Sequence, residues 1–128
     1  MRIISTDKAP SAVGHYSQAI VSQGLVFVAG QLAIDPASGA LVGDTIEEQV
    51  AQVMANLSAI LQAAGSSLGQ VVKATMFLAD MSLFSRANAA YAAALGEHRP
   101  ARSAVPVSSL PRGGMVEIEV IAEVTPHV

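Results

Sequence analysis

Cysteine is absent from the 128 residues, and with it go disulfides, thiolate nucleophiles, iron–sulfur centres and cysteine-ligated zinc. Tryptophan is absent too, and aromatic residues make up only 4% of the chain, which leaves little for base-stacking platforms. Charge is scarce and slightly negative, with 7 Lys and Arg against 10 Asp and Glu. The cations are scattered singly, so no basic stripe exists to displace counterions from a nucleic acid. His15, His98 and His127 lie far apart and lack metal-ligand spacing. No apolar run approaches the roughly 20 residues of a membrane span. The first residues carry Arg2, Asp7, Lys8 and His15, which is no secretory segment. These absences predict a soluble, cytoplasmic protein with no metal, nucleic-acid or membrane partner.

What is present is apolar. The chain is 52% hydrophobic and 13% charged, against roughly 25% charged in an average soluble domain. Its length suits one domain over residues 1–128 with one proper core. A monomer of this size has difficulty hiding so much apolar surface, whereas an oligomer does not.

Periodicity divides the chain into about six strands and two helices. Arg2–Ser5 and Tyr16–Ser22 read as short strands. Leu25–Ala29 is apolar at consecutive positions, as a strand buried on both faces would be. Asp35-Pro36-Ala37-Ser38-Gly39 is a turn. Asp44 or Thr45 can cap a helix, with Glu47 or Glu48 placed for a capping box. Its apolar stripe runs through Ile46, Val50, Val53, Leu57, Ile60, Leu61 and Ala64, and Gly65 stops it. Val71–Ala79 is the next strand. Ser82 can cap a second helix with Phe84, Ala87, Tyr91 and Leu95 on one stripe, ending at Gly96. Ser103–Val107 and Met115–Val124 complete the strands. Two helices can cover only one face of such a sheet. A second copy of the same chain is the simplest cover for the other face.

A few polar residues sit where chemistry is possible. In the last strand Val116, Ile118, Val120 and Ala122 share one face, while Glu117 and Glu119 share the other. That pair is either an ordinary solvated face or a place where a semi-buried carboxylate handles protons. Arg102, at the mouth of a strand, has the fork geometry to grip a carboxylate, or pairs with a surface Glu. Asn88 lies within the stripe of the second helix, so its amide needs interior partners, as a tether or as a ligand contact. Tyr16 fits either role.

These residues stand in a recurrent order. Gly14-His15-Tyr16-Ser17-Gln18-Ala19-Ile20 is similar to GxYSQAI, and Gly30-Gln31 through Asp35-Pro36…Gly39-Ala40-Leu41 to GQ…DPxTGxL. Val71–Met81 is similar to VVKTTVFLxDM, and Asn88-Ala89-Ala90-Tyr91 to NxxY. Pro100-Ala101-Arg102-Ser103 precedes Leu110 and Val116-Glu117-Ile118-Glu119 at matching spacing. The chain therefore resembles, over nearly its whole length, the Rid family of reactive-intermediate deaminases, formerly the YjgF type.

The resemblance implies an α+β, chorismate-mutase-like subunit, with a mixed six-stranded sheet packed on two helices. It also implies a homotrimer with three clefts between subunits. Arg102 would clamp the substrate carboxylate and Glu117 would orient or activate water. Tyr16, the backbone at Ala29-Gly30, Asn88 and Ala104 would shape the cleft. The implied reaction is cofactor-free hydrolysis of 2-imino or 2-enamino acids to ammonia and a 2-keto acid. The alternatives are a cleft that binds small carboxylates, or a client protein, without turnover, and the ribonuclease or translation-inhibitor role attached to some members. The acidic balance and the lack of a catalytic His pair argue against that last role.

The chain also departs from the pattern. Ala104 stands where many members carry Cys, so a cysteine nucleophile is excluded. Ala29 replaces a frequent Ser or Thr, and His15 a usual Pro. The stretch between the second helix and Arg102 is short, and it lacks the aromatic that often precedes PARS. These differences bear on pocket shape and therefore on substrate.

Overall fold

A computed structural model describes residues 1–126; His127 lies outside them. Six strands form one sheet: β1 (Arg2–Ile4), β2 (Ala19–Ser22), β3 (Leu25–Gln31), β4 (Val71–Leu78), β5 (Ala101–Pro106) and β6 (Val116–Glu123). The spatial order is β1-β2-β3-β6-β4-β5. Every pairing is antiparallel except β4–β5, which is parallel. Parallel neighbours need a crossover, and α2 (Phe84–Leu95) provides it. α1 (Ile46–Ala63) makes the longer connection from β3 to β4.

Local chemistry sets the ends of α1. Thr45 caps it, its hydroxyl accepting from the Glu48 amide at 3.2 Å and donating to the Glu48 carboxylate at 3.0 Å. At the other end Gly65 takes a φ of +81°, which only glycine adopts cheaply. The Ser66 amide then reaches back to Leu61 O and the Gly65 amide to Gln62 O, the two bonds of a Schellman stop. Val50, Val53, Leu57, Ile60 and Leu61 are fully buried against the sheet, each contributing about 1.5–3 kcal/mol of transfer free energy. From below they meet Val26, Met76, Leu78, Val116, Ile118 and Ala122.

Several sequence expectations need correction. Tyr16 to Gln18 are not strand; the second strand begins at Ala19, because the buried Gln18 side chain is committed to Thr6, Ala9 and Pro10. Ser82 is not the cap of the second helix. Asp80 caps a 3-10 turn, Met81–Leu83, by accepting from the Ser82 amide, and that turn leads into α2. β5 starts at Ala101, so Arg102 lies inside a strand, not at its mouth. Within one chain the strands are not covered on both faces. The helices cover one side, and Phe27 on the other remains 42% exposed.

Candidate functional site

β5 runs along the edge of the sheet, and its residues alternate between the two faces. Arg102 pairs in register with Ala74, and Ala104 with Met76; Ala74 and Met76 are buried under the helices. Arg102 therefore rises on the helix side, beside α2. Its guanidinium donates to Asn88 Oδ1 at 2.5 Å. It also lies 5.3 Å from the centre of the Phe84 ring and 5.2 Å from that of Tyr91, within cation–π range. Phe84, Asn88 and Tyr91 stand at i, i+4 and i+7 on one face of α2, so the helix offers two rings and an amide to one cation. The sequence stripe singled out Asn88 and treated the two rings as core. The later arginine was the only sign that they would flank a cation.

Beside Arg102 is a cavity of about 450 Å³, lined by Asn88, Tyr91, Leu95, His98, Arg99 and Arg102, among others. Tyr91 is buried, and its hydroxyl has no hydrogen-bond partner among the described residues. Such an orphan donor ordinarily costs about 1–3 kcal/mol. Burial raises the Tyr91 pKa, with the nearby Arg102 charge opposing, so the phenol stays protonated. His98 Nε2 lies 2.7 Å from Val71 O, an acceptor, so this nitrogen carries the proton. Ala104 is half-buried on the same side and contributes no polar atom.

Glu117 lies elsewhere. It pairs with Phe77, while Val116 and Ile118 on either side of it are buried under the helices. Its carboxylate therefore emerges on the face that the helices leave open. There it lies against the backbone of β3, where the register slips between Val28 and Gln31. A β-carbon on Gly30 would stand 2.5 Å from Glu117 Oε2 and 2.8 Å from its carboxyl carbon. Only a glycine backbone admits the carboxylate this closely. Desolvation, and secondly the charge of Glu119, raise the Glu117 pKa. Ala29 belongs to the same bulge, its amide donating to Gln18 O at 2.9 Å. Tyr16 is 52% exposed on the preceding loop, and His15 is exposed beside it.

The residues expected to form one site thus fall into two groups. Arg102, Asn88 and Ala104 lie on the helix side at one edge; Glu117, Gly30 and Ala29 lie on the open face. One chain does not bring Arg102 and Glu117 together. Among the described residues there is no group of three His, Asp or Glu placed to hold a metal ion. No helix among them is long and apolar enough to cross a membrane.

A sheet of this order with two helices on one face, an arginine held by α2 and a carboxylate seated on a glycine bulge define a Rid-type subunit. The comparisons agree. The family model described as endoribonuclease L-PSP matches residues 6–124. The chain is 49% identical to the 2-iminobutanoate/2-iminopropanoate deaminase of Capra hircus, over 94% of this chain and 88% of that protein. It is 48% identical to a RutC family protein of Pyrococcus horikoshii, over 94% and 95% of the two chains. The crystal structure of RidA from the Antarctic bacterium Psychrobacter sp. superposes with a TM-score of 0.93 at 46% identity, covering 97% of this chain and all of that one. The protein belongs to the Rid family, the YjgF and L-PSP type.

Proposed function

We propose that the protein is a cofactor-independent deaminase of 2-imino and 2-enamino acids, acting in clefts between the subunits of a homotrimer. The observation that carries this reading is that the chain holds both an arginine oriented by Asn88 and a partly desolvated carboxylate, and is similar throughout to a protein named for that activity.

The substrate brings its own electrophile, the carbon of a protonated C=N bond. Arg102 holds the substrate carboxylate and so fixes that carbon in place, an effect of positioning. Asn88 occupies one edge of the guanidinium and the rings of Phe84 and Tyr91 flank it, which leaves the remaining N–H groups for the ligand. Water adds to the imine carbon, and Glu117 takes its proton. A carboxylate of raised pKa is the better base near neutrality. The nitrogen of the tetrahedral adduct is protonated and leaves as ammonia, and the carbonyl of a 2-keto acid forms. An enamine first tautomerises to the imine.

Because Arg102 and Glu117 lie on opposite faces of one sheet, a complete site draws them from different copies. The open face supports such assembly: Ile3, Ile20, Phe27 and Ile121 form a cross-strand row there, and Ile3 is 66% exposed. Contiguous apolar surface of this kind marks an interface. Tyr16 and the Ala29-Gly30 backbone, on the loop and bulge next to Glu117, complete the second half of the cleft.

The test is ammonia and keto-acid release from imines made in situ by an amino-acid oxidase, with Arg102→Ala beside the wild type. Hydrolysis that depends on Arg102 supports the reading. Carboxylate binding through Arg102 without hydrolysis replaces it with a binding module, a role that Ala104 and Ala29 in place of cysteine and hydroxyl side chains would suit.

A further inference from the structure

Val28 and Gln31 are both buried, and so are their partners on β6, Val120 and Ile118. In a regular strand, residues three apart point to opposite faces. These two share the helix side because Ala29 and Gly30 together stand opposite the single residue Glu119, one residue too many on β3 and therefore a bulge. A bulged residue leaves the ladder, so its backbone groups need other partners. The Ala29 amide donates to Gln18 O at 2.9 Å. The β2–β3 pairing ends at Ala19 and Val28, and the Ala29 carbonyl accepts instead from Gln31 Nε2 at 3.1 Å.

Gln31 thus reaches the bulge from the helix side, while Glu117 lies on it from the open face. The Ala29 carbonyl and the Gly30 amide belong to one planar peptide unit, so a bond that fixes the carbonyl also fixes the next α-carbon. That α-carbon belongs to Gly30, where a β-carbon would stand 2.5 Å from Glu117 Oε2. Glycine is the residue freest to rotate, so the bed of the carboxylate needs a tether from outside the ladder. Gln31 is only 5% exposed, and a buried hydrogen bond is stronger than one in water.

We propose that Gln31 is a positioning residue: by holding the Ala29 carbonyl it keeps Gly30 in place, and Gly30 seats the Glu117 carboxylate. Gln31 itself touches no substrate. Its consequence for turnover rests on Glu117 being the base of the proposed deaminase; the seating of the carboxylate does not. A glutamine that merely filled the core would give a different result on removal, a loss of stability with the carboxylate unmoved.

The experiment reads the carboxylate and the turnover separately. Gln31→Met removes the donor at similar volume, and Gln31→Leu repeats the deletion with a different shape; thermal melts show that each is folded. The Glu117 carboxyl is titrated by carbon-13 NMR in protein labelled at glutamate, with Glu117→Gln to assign its signal. Wild type is expected to titrate above the ordinary carboxylate value, and both variants closer to it, since a displaced carboxylate regains water. In parallel, kcat and KM are measured for 2-iminobutanoate generated in situ by an oxidase. With the Arg102 grip untouched, kcat should fall ~10²-fold while KM stays within about twofold. The acid limb of the pH–rate profile should move down together with the NMR titration. A Glu117 titration identical to wild type in either folded variant, whatever its melting temperature, overturns the proposal. If wild type hydrolyses the imine but neither titration nor kcat moves in the variants, the seating fails and the deaminase stands. If the titration moves but wild type hydrolyses no imine, the seating stands and the deaminase fails. If the titration moves and kcat does not, the seating stands and Glu117 is not the base.

Discussion

The Glu117 carboxylate rests on the backbone of Gly30, so closely that a β-carbon there would come within 2.5 Å of Oε2. The two residues are 87 positions apart in the chain. They meet because β6 pairs directly with β3 at a register slip.

Gly30→Ala follows from that contact. The atoms in the way are the end of a flexible side chain, so the fold should survive while the carboxylate is displaced. A misplacement of about 1 Å in a reacting group can cost ~10²-fold. Imine hydrolysis should fall by that order with a melting temperature close to wild type. Activity retained in full would remove Glu117 from the reaction.

If Glu117 is the base, Glu117→Gln keeps shape and hydrogen bonding but removes it, and should lower the rate ~10²–10⁴-fold. Glu119, exposed on the same face, acts mainly by its charge on Glu117. Glu119→Gln should therefore cost little rate and move the acid limb of the pH–rate profile downward. Equal losses in the two variants would mean that the pair acts as one unit.

The raised Glu117 pKa also has a sign in stability. The folded protein holds this proton more tightly than the unfolded chain does, so the contribution is present at low pH and lost as pH rises through the folded pKa. Glu117→Gln should melt at a higher temperature than wild type near neutrality, with the gap closing towards about pH 4. Thermal melts across that range check it. A gap that widens on acidification would contradict the direction of the shift.

If Arg102 is the clamp, truncating it to Ala leaves the substrate carboxylate unpaired, at about 2–5 kcal/mol. At about 1.4 kcal/mol per decade, kcat/KM should fall by ~30-fold to several thousandfold. Arg102→Lys should rescue only in part, because an ammonium lacks the planar two-point grip. Full activity in a folded Arg102→Ala protein would end the clamp mechanism.

Light scattering should report a trimer, and Phe27→Glu on the open face should dissociate it. If each site joins Arg102 of one copy to Glu117 of another, subunits of Arg102→Ala and Glu117→Gln should complement each other. Equal mixtures that exchange freely should recover about one quarter of wild-type activity, since each junction draws its two halves independently. No recovery from subunits shown to mix would place both residues of a site in one copy.

The elements that could be read along the chain are those set by neighbours in sequence. The stripe from Ile46 to Ala64 with Thr45 and Gly65 at its ends, and the alternation of Val116 to Ala122 against Glu117 and Glu119, follow from 3.6- and 2-residue periods. Element ends set by side chains reaching elsewhere were less legible. Gln18 is spent on the N-terminal loop rather than on a longer β2, and Ser82 falls inside a 3-10 turn that Asp80 caps, so α2 begins without a side-chain cap.

Motif order likewise marked Arg102, Glu117, Asn88 and Gly30 as candidates, because those residue types suit the chemistry proposed for them. Their arrangement was another matter. The insertion of β6 between β3 and β4 seats Glu117 on Gly30 and turns it away from the helices. The parallel pairing of β5 with β4 carries Arg102 to the opposite side, under Asn88, Phe84 and Tyr91. Strand pairing across tens of residues depends on which apolar faces bury one another, a property of the whole core and of no local segment. The residue types and helix boundaries are thus written locally, whereas the face on which each functional side chain emerges, and the neighbour that shifts its pKa, are decided by packing.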